Sequence, residues 1–177
     1  MSNLKVGDKA IAFDLRGVDG KRHSLAGYAG KEIVVVIFTC NHCPYARAWE
    51  DRFVRIQADT AAQGVQLLAI NSNDAAKHPD DSFPKMQERA AEKGFNFPYL
   101  YDESQAVARA YGAQRTPEVF VFDKSGALCY HGTVDDNYEE PSAVKTPYLR
   151  QALDAVLVGK AAPTPETAAV GCTIKWK

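Results

Sequence analysis

The pattern of apolar and polar residues along the chain alternates between two periods. Ile33 to Phe38 form an unbroken apolar run rich in Val and Ile, which predicts a strand buried on both faces. Val65–Ile70 predicts a second such strand, and it ends in the polar residues Asn71 to Asp74. Between the two runs, the spacing predicts an amphipathic helix that begins at Pro44 and ends before Gly64. The residues on its inner face are Tyr45, Trp49, Phe53, Ile56 and Thr60.

Turn and cap signals divide the rest of the chain into further elements. Phe13–Leu15 and Arg22–Leu25 surround an Asp-Gly turn, which predicts an N-terminal β-hairpin. A second helix is predicted with Ser82 as its N-cap and Gly94 as its end. The later predicted elements are a short strand in FNFPYLYD, a short helix ending at Gly112, a hairpin of Val119–Phe122 and Ala127–His131, and a closing helix in YLRQALDAVLVG.

The order of these elements predicts an α/β fold with a mixed central sheet flanked by helices and an N-terminal hairpin extension. The first β-α-β unit should be parallel and right-handed, and the closing hairpin adds antiparallel strands. A chain of 177 residues has the length of one domain, so we predict a single domain over 1–177. Within it, 161–177 is predicted to be a linker and a docked C-terminal tail.

The tail prediction depends on an alternation at the C-terminus. Cys172, Ile174 and Trp176 alternate with polar residues, which is typical of a strand with one buried face. We expect the tail to dock on the body or on the sheet edge of a neighbouring subunit, so a homodimer is one predicted assembly.

Composition and charge exclude several classes of function. Lys and Arg number 21, Asp and Glu number 22, and hydrophobic residues make up 46% of the chain. This balance is typical of a globular protein and provides no basic excess for nucleic acid. The N-terminus lacks a secretory-signal pattern, and no apolar run approaches the roughly 18 residues that span a bilayer. We therefore predict a cytoplasmic protein without nucleic-acid or membrane partners, in a compartment where thiols are mostly reduced.

Two cysteines lie at the junction of the first buried strand and the first helix. Cys40 follows the strand and Cys43 opens the helix. The partial positive charge and free N–H groups of a helix N-terminus lower a cysteine pKa from about 8.5 to roughly 3.5–7.5. We predict that Cys40 is the more exposed, attacking sulfur with the helix amides directed at it. Cys43 is then the resolving thiol of a dithiol exchange.

Alternatives remain for this motif. A protonated His42 would favour the thiolate of Cys40, or it is an exposed histidine with little effect. A metal centre is a further alternative, because CxxC supplies two ligands. A closed zinc site needs four, and Cys129, Cys172 and the histidines lack the spacing of a second ligand pair, so no metal is predicted.

A buried strand followed by CxxC at the start of a helix resembles the thioredoxin superfamily. CNHC has the histidine placement of the CxHC sites of disulfide isomerases and oxidases. Over nearly its full length the chain is similar to the redoxin branch, the AhpC/TSA-like proteins, and more narrowly to an intracellular peroxiredoxin-like family. The motifs that carry this resemblance are CNHCPY, AINSND, FPYLYDE, YGAQRTP and GCTIKW. It implies a thioredoxin-like fold and redox chemistry at thiols, of antioxidant or disulfide-exchange type, with no organic cofactor.

The resemblance also implies which segment of the chain lies opposite the cysteines. YGAQRTPEVFVFD resembles the thioredoxin segment in which a cis-proline begins a strand that faces the cysteine pair. A cis bond between Thr116 and Pro117 is therefore implied, although only about 5–6% of X–Pro bonds are cis. The Thr116 backbone and Pro117 would line the substrate groove.

The chain departs from true peroxiredoxins, which carry a Thr three residues before the peroxidatic Cys-Pro and an Arg at a later strand. If Cys43-Pro44 is that Cys-Pro, Cys40 occupies the Thr position. Thr39 lies one residue too early, and Arg115 is offset by two. Oxyanion-type donors contribute about 3 kcal/mol each to the transition state, so we favour dithiol–disulfide exchange over peroxide reduction.

The chain also departs from thioredoxins, which have a buried Asp six residues before the first cysteine, where this chain has Val34. A proton acceptor for Cys43 must come from elsewhere. Glu118 and Asp74 are candidates, although a solvent-facing role for Glu118 and a helix-capping role for Asp74 are the stronger interpretations.

Two interpretations of Cys172 are open. It is either a small buried residue beside Trp176, or a third thiol near the CxxC pair that carries the disulfide outward.

We therefore predict a thiol–disulfide oxidoreductase that cycles Cys40 and Cys43 between dithiol and disulfide. Its substrate is a protein or small-molecule thiol, and its partner is a thioredoxin-type reductant.

Overall fold

The computed structural model describes residues 2–177. Its helices are α1 (Pro44–Thr60), α2 (Phe83–Lys93), α3 (Ala106–Tyr111) and α4 (Tyr148–Leu157). Its strands are β1 (Asp14–Gly17), β2 (Arg22–Ser24), β3 (Ile33–Thr39), β4 (Val65–Asn71), β5 (Tyr99–Tyr101), β6 (Arg115–Thr116), β7 (Glu118–Asp123), β8 (Leu128–Gly132) and β9 (Cys172–Thr173).

The central sheet has seven strands in the order β2-β1-β5-β4-β3-β7-β8. Strand β3 is parallel to β4 and antiparallel to β7, with Val35 opposite Leu67 on one side and Val121 on the other. Strand β5 is parallel to β4, whereas the outer pairs are antiparallel. The predicted mixed sheet in a thioredoxin-like α/β fold is confirmed.

The sheet is covered on both faces, which explains why its central strand β3 is apolar from Ile33 to Phe38. Every residue of β3 is buried. Alternate residues such as Val35 pack with α1, α2 and α4, and the intervening residues such as Val36 pack with α3 and Ile174 of the tail. Burying an aliphatic side chain of this size contributes about 1.5–3 kcal/mol.

The N-terminal hairpin is an edge of the main sheet. Strands β1 and β2 pair antiparallel, and β1 also pairs with β5, so the extension continues the central sheet. Helix α2 begins at the predicted cap, where the Ser82 side chain accepts the backbone N–H of Lys85, and it ends at Gly94 in a left-handed conformation. The segment before this cap, Pro79–Asp81, is a short 3-10 helix. The pattern of polar residues does not distinguish this segment from the start of α2.

The tail lies against the body through a second, two-stranded sheet. Thr116 of β6 pairs with Cys172 of β9, and Arg115 pairs with Thr173. The sequence pattern did not predict β6, because two residues are too few to show a period.

No helix within residues 2–177 is long and apolar enough to cross a bilayer.

Candidate active site

The two cysteines of the CxxC motif flank the turn between β3 and α1. Cys40 directly follows β3, and Cys43 is the N-cap of α1, with Pro44 in the first turn. Both are almost inaccessible, since Cys40 is 3% exposed and Cys43 is 0% exposed. The prediction that Cys40 is the more exposed sulfur holds only by this small margin.

The loop before β7 lies opposite the pair. The Thr116–Pro117 peptide bond is cis, as the resemblance implies, and both residues are buried. The Thr116 hydroxyl lies 3.5 Å from the Cys40 sulfur, and the Thr116 carbonyl lies 3.3 Å from the Cys43 sulfur. The loop therefore contacts both sulfurs through Thr116.

Hydrogen-bond donors converge on Cys43. The nearby Cys40 and Cys172 thiols and the backbone N–H groups of Ala46 and Cys172 favour the thiolate of Cys43, and they lower its pKa to about 4 despite its burial. The Thr116 carbonyl opposes the thiolate, because it can only accept from the protonated form. The groups that favour the thiolate outweigh this acceptor, so the surroundings favour the negative charge of the reduced site on Cys43.

The opposite holds for Cys40. The hydrogen bond that it donates to Cys43, its burial and the nearby Asp81 carboxylate raise the pKa of Cys40 above its ordinary range. The surroundings therefore favour a thiolate at Cys43, whereas the sequence predicted one at Cys40, and the assignment of the attacking sulfur stays a prediction. The reason is positional: Cys43 is the N-cap of α1 and lies beside the first turn of the helix, whereas Cys40 lies three residues earlier.

A buried carboxylate that the sequence did not single out lies beside the pair. Asp81 is 0% exposed and accepts the backbone N–H of Asn41 at 2.8 Å and the side-chain amide of Asn73 at 2.9 Å. Its carboxylate also contacts His42 Nδ1 at 2.5 Å. In the sequence, Asp81 is marked only by its position next to the predicted N-cap Ser82. That position is also consistent with an ordinary helix start, so it did not indicate a functional residue.

The ligand-type atoms of Cys40, His42 and Asp81 lie within 4.8 Å of one another. This trio is one ligand short of a closed zinc site. The His42 ring stacks on His78 with a centroid separation of 5.9 Å, so His42 is only partly exposed. We interpret the trio as a polar network, and the absence of a metal stays a prediction.

The remaining predicted residues hold the loop opposite the pair. Glu118 is buried, which contradicts a solvent-facing role, and accepts the backbone N–H groups of Gln114 and Arg115. Its other oxygen lies 2.7 Å from His131 Nε2. The Arg115 side chain is directed at the tail and donates to the Gly171 carbonyl at 3.4 Å. Both residues therefore position the loop and the tail.

Asp74 stabilises a turn and does not cap the following helix, since the N-caps of the two next helical segments are His78 and Ser82. Its side chain accepts the backbone N–H of Ala76 at 3.1 Å and lies 3.8 Å from Lys77 Nζ. Its backbone N–H donates to Lys175 in the tail.

The depressed pKa of Cys43 leads to a prediction about pH. We expect the ultraviolet thiolate absorbance of the reduced protein to persist at neutral pH and to disappear in a step near pH 4. Because the folded pKa lies below the ordinary 9.0, ionised Cys43 contributes stability that is fully present above pH 9.0 and is lost as the pH falls through about 4.

A titration of the reduced protein measures this step. The variant Cys129→Ala, which removes a cysteine outside the site, should retain it. A single step near pH 9.0 would contradict the assignment of a stabilised thiolate to Cys43.

A buried thiol pair at the start of a helix, opposite a cis-proline loop, on a sheet of this topology defines a thioredoxin-fold protein with a dithiol site. The chain belongs to the Redoxin family, whose model matches residues 5–146. The prediction of a thioredoxin-superfamily redoxin, and of an oxidoreductase, is confirmed. The narrower resemblance carried by CNHCPY and GCTIKW stays a prediction.

Similar proteins carry two kinds of name. Thiol-disulfide oxidoreductase ResA from Geobacillus thermodenitrificans is 30% identical over 71% of this chain and 67% of its own length. A protein from Mycobacterium tuberculosis whose name assigns it to the peroxiredoxins is 26% identical over 77% of this chain and 82% of its own. An uncharacterized conserved protein from Geobacillus kaustophilus superposes with a TM-score of 0.93 at 40% identity, over 99% of this chain and 95% of its own.

Proposed function

We propose that this redoxin is a thiol–disulfide oxidoreductase whose Cys40–Cys43 pair cycles between dithiol and disulfide on protein or small-molecule thiol substrates. The observation that carries the proposal is the packing of the two cysteines in one cluster at the start of α1, with both sulfurs in contact with Thr116. The relatives named thiol-disulfide oxidoreductases support the same activity.

The division of roles follows from the charge. Cys43 carries the thiolate, so it attacks the incoming disulfide sulfur and releases the first thiolate. The Cys40 thiol then loses its proton, attacks the Cys43 sulfur and releases the second substrate thiolate, leaving a Cys40–Cys43 disulfide. The carboxylate of Asp81 and the ring of His42 lie within 4.8 Å of the Cys40 sulfur, so this pair accepts the proton. The order reverses the one that the sequence predicted.

Peroxide reduction is the second candidate function. A stabilised Cys43 thiolate directly before Pro44, together with the relatives named peroxiredoxins, favours it. Peroxide would oxidise Cys43 to a sulfenic acid, and Cys40 would condense with it to the same disulfide and water. The Arg115 side chain is engaged with the tail, which weakens this alternative.

The cellular setting follows from the same chemistry. A cycling disulfide needs a dithiol donor, so a thioredoxin-type reductant is a fitting partner. A reducing cytoplasm is the compartment in which such a reductant operates. A homodimer stays a prediction.

Mild oxidation tests the proposal. We expect diamide to convert Cys40 and Cys43 into an intrachain disulfide, because their sulfurs are already in contact. Peptide mapping after alkylation would identify the bond. Cys129 should remain alkylatable and serves as the internal control. If Cys40 and Cys43 both stay alkylatable, the dithiol proposal is wrong.

A further inference from the structure

The reactive sulfur of this site is the one with no exposed surface. Cys43 is 0% exposed and Cys40 only 3%, so a protein thiol or disulfide has little direct access to either sulfur. Cys172 is half-buried and contacts Cys43. Its thiol and its backbone N–H lie close enough to the Cys43 sulfur to favour the Cys43 thiolate. Cys43 therefore lies between two thiols, of which Cys172 is the one nearer to solvent.

The position of Cys172 is fixed by the fold. Strand β9 pairs with β6 so that Cys172 is opposite Thr116, the residue that contacts Cys40 and Cys43. Gly171 permits this approach, because a Cβ there would overlap the backbone oxygen of Thr116.

Residues beyond β9 anchor the tail on the body. The Ile174 N–H donates to Gln114 at 2.9 Å, and the Lys175 N–H donates to Asn73 Oδ1 at 2.9 Å. The Trp176 ring lies 4.5 Å from the Arg109 guanidinium. These contacts hold the tail against the body and keep Cys172 beside Cys43.

From this arrangement, and resting on the proposed Cys40–Cys43 cycle, we propose that Cys172 is a relay thiol through which external thiols exchange with the buried pair. In the reducing direction, the Cys172 thiolate attacks Cys43 in the Cys40–Cys43 disulfide. A Cys43–Cys172 disulfide forms and Cys40 leaves as a thiolate that takes up a proton.

An external thiolate then attacks the accessible Cys172 sulfur and expels the Cys43 thiolate. Cys43 is the better leaving group of that disulfide, because its pKa is about 4 and that of Cys172 is raised to about 11 by burial and the neighbouring Cys43. A second external thiol releases Cys172. In total, one protein disulfide and two external thiols yield one dithiol and one external disulfide, and the reverse path oxidises the pair.

The first test removes Cys40, which competes with Cys172 for a disulfide with Cys43. After diamide oxidation, Cys40→Ser should contain a Cys43–Cys172 disulfide by peptide mapping. Cys40→Ser/Cys129→Ala should contain it as well, whereas Cys40→Ser/Cys172→Ala has no such partner. Reduced glutathione added to oxidised Cys40→Ser should appear as a mixed disulfide on Cys172 and not on Cys43. A Cys172 that stays alkylatable, or glutathione on Cys43, overturns the relay.

The second test measures rates with the natural pair present. Oxidised Cys172→Ala should be reduced by glutathione at least about tenfold more slowly than oxidised wild type, since exchange rates depend on access to the attacked sulfur. Cys129→Ala should match wild type. Equal rates for all three overturn the relay but leave the Cys40–Cys43 cycle intact. Failure of wild type to form the Cys40–Cys43 disulfide would overturn the cycle itself.

Discussion

Cys43→Ser should abolish turnover of a model disulfide, with a loss of about 10³-fold or more, because an unactivated hydroxyl is a weak nucleophile. Cys43 is the sulfur on which the thiols of Cys40 and Cys172 converge, so no second route bypasses it. The rate of disulfide reduction with an excess of external thiol measures the effect. Cys129→Ser is the matched control, because it removes a cysteine outside the site, and it should retain the wild-type rate.

The variant Cys40→Ser distinguishes the two possible attacking sulfurs and the two candidate functions. If Cys43→Ser keeps its turnover and Cys40→Ser loses it, the order predicted from the sequence is correct and the electrostatic assignment is wrong. Peroxide consumption that survives in Cys40→Ser but is lost in Cys43→Ser would favour the peroxiredoxin-like function.

The second large effect is expected at Asp81. Asp81→Ala should lower the free energy of unfolding by about 3 kcal/mol, because it leaves buried donors without partners and each costs about 1–3 kcal/mol. The donors are the backbone N–H of Asn41 and the side-chain amide of Asn73. Denaturant unfolding of the reduced protein measures the change.

The neighbouring Asp80→Ala is the control for this prediction. Asp80 is exposed, and its backbone carbonyl, which accepts from Asn41, is retained in the variant. Its stability should stay within about 0.5 kcal/mol of wild type. Asp81→Ala should also lower the pKa of Cys40, because the carboxylate charge contributes to raising it. Equal stabilities of the two variants would show that the hydrogen bonds of Asp81 do not stabilise the fold.

The elements of the sheet and the main helices could be predicted because their signals are local. Six apolar residues in succession predict β3 whatever surrounds them, and the spacing from Tyr45 to Thr60 fits the single period of α1. The placement of CxxC at the end of a strand and the start of a helix follows from the same two signals. The sequence also indicated the half-buried character of the tail through its alternation.

The distribution of charge within the site depends on contacts between distant segments. Asp81 and Cys172 are far from the CxxC motif in the chain, and neither has a spacing relative to Cys43 that a sequence pattern records. Their effects on the two cysteine pKa values arise from hydrogen bonds and a charge that only the folded chain brings together.

The sequence by itself therefore determined the fold class, the CxxC pair and its position at a helix start, because periodicity and capping are properties of neighbouring residues. Only the tertiary structure decided which sulfur holds the charge, that Glu118 is buried against His131, and that Cys172 contacts Cys43. The physical reason is that a pKa and a reaction path depend on donors, charges and burial within a few ångströms, and the fold collects these from four separate segments of the chain.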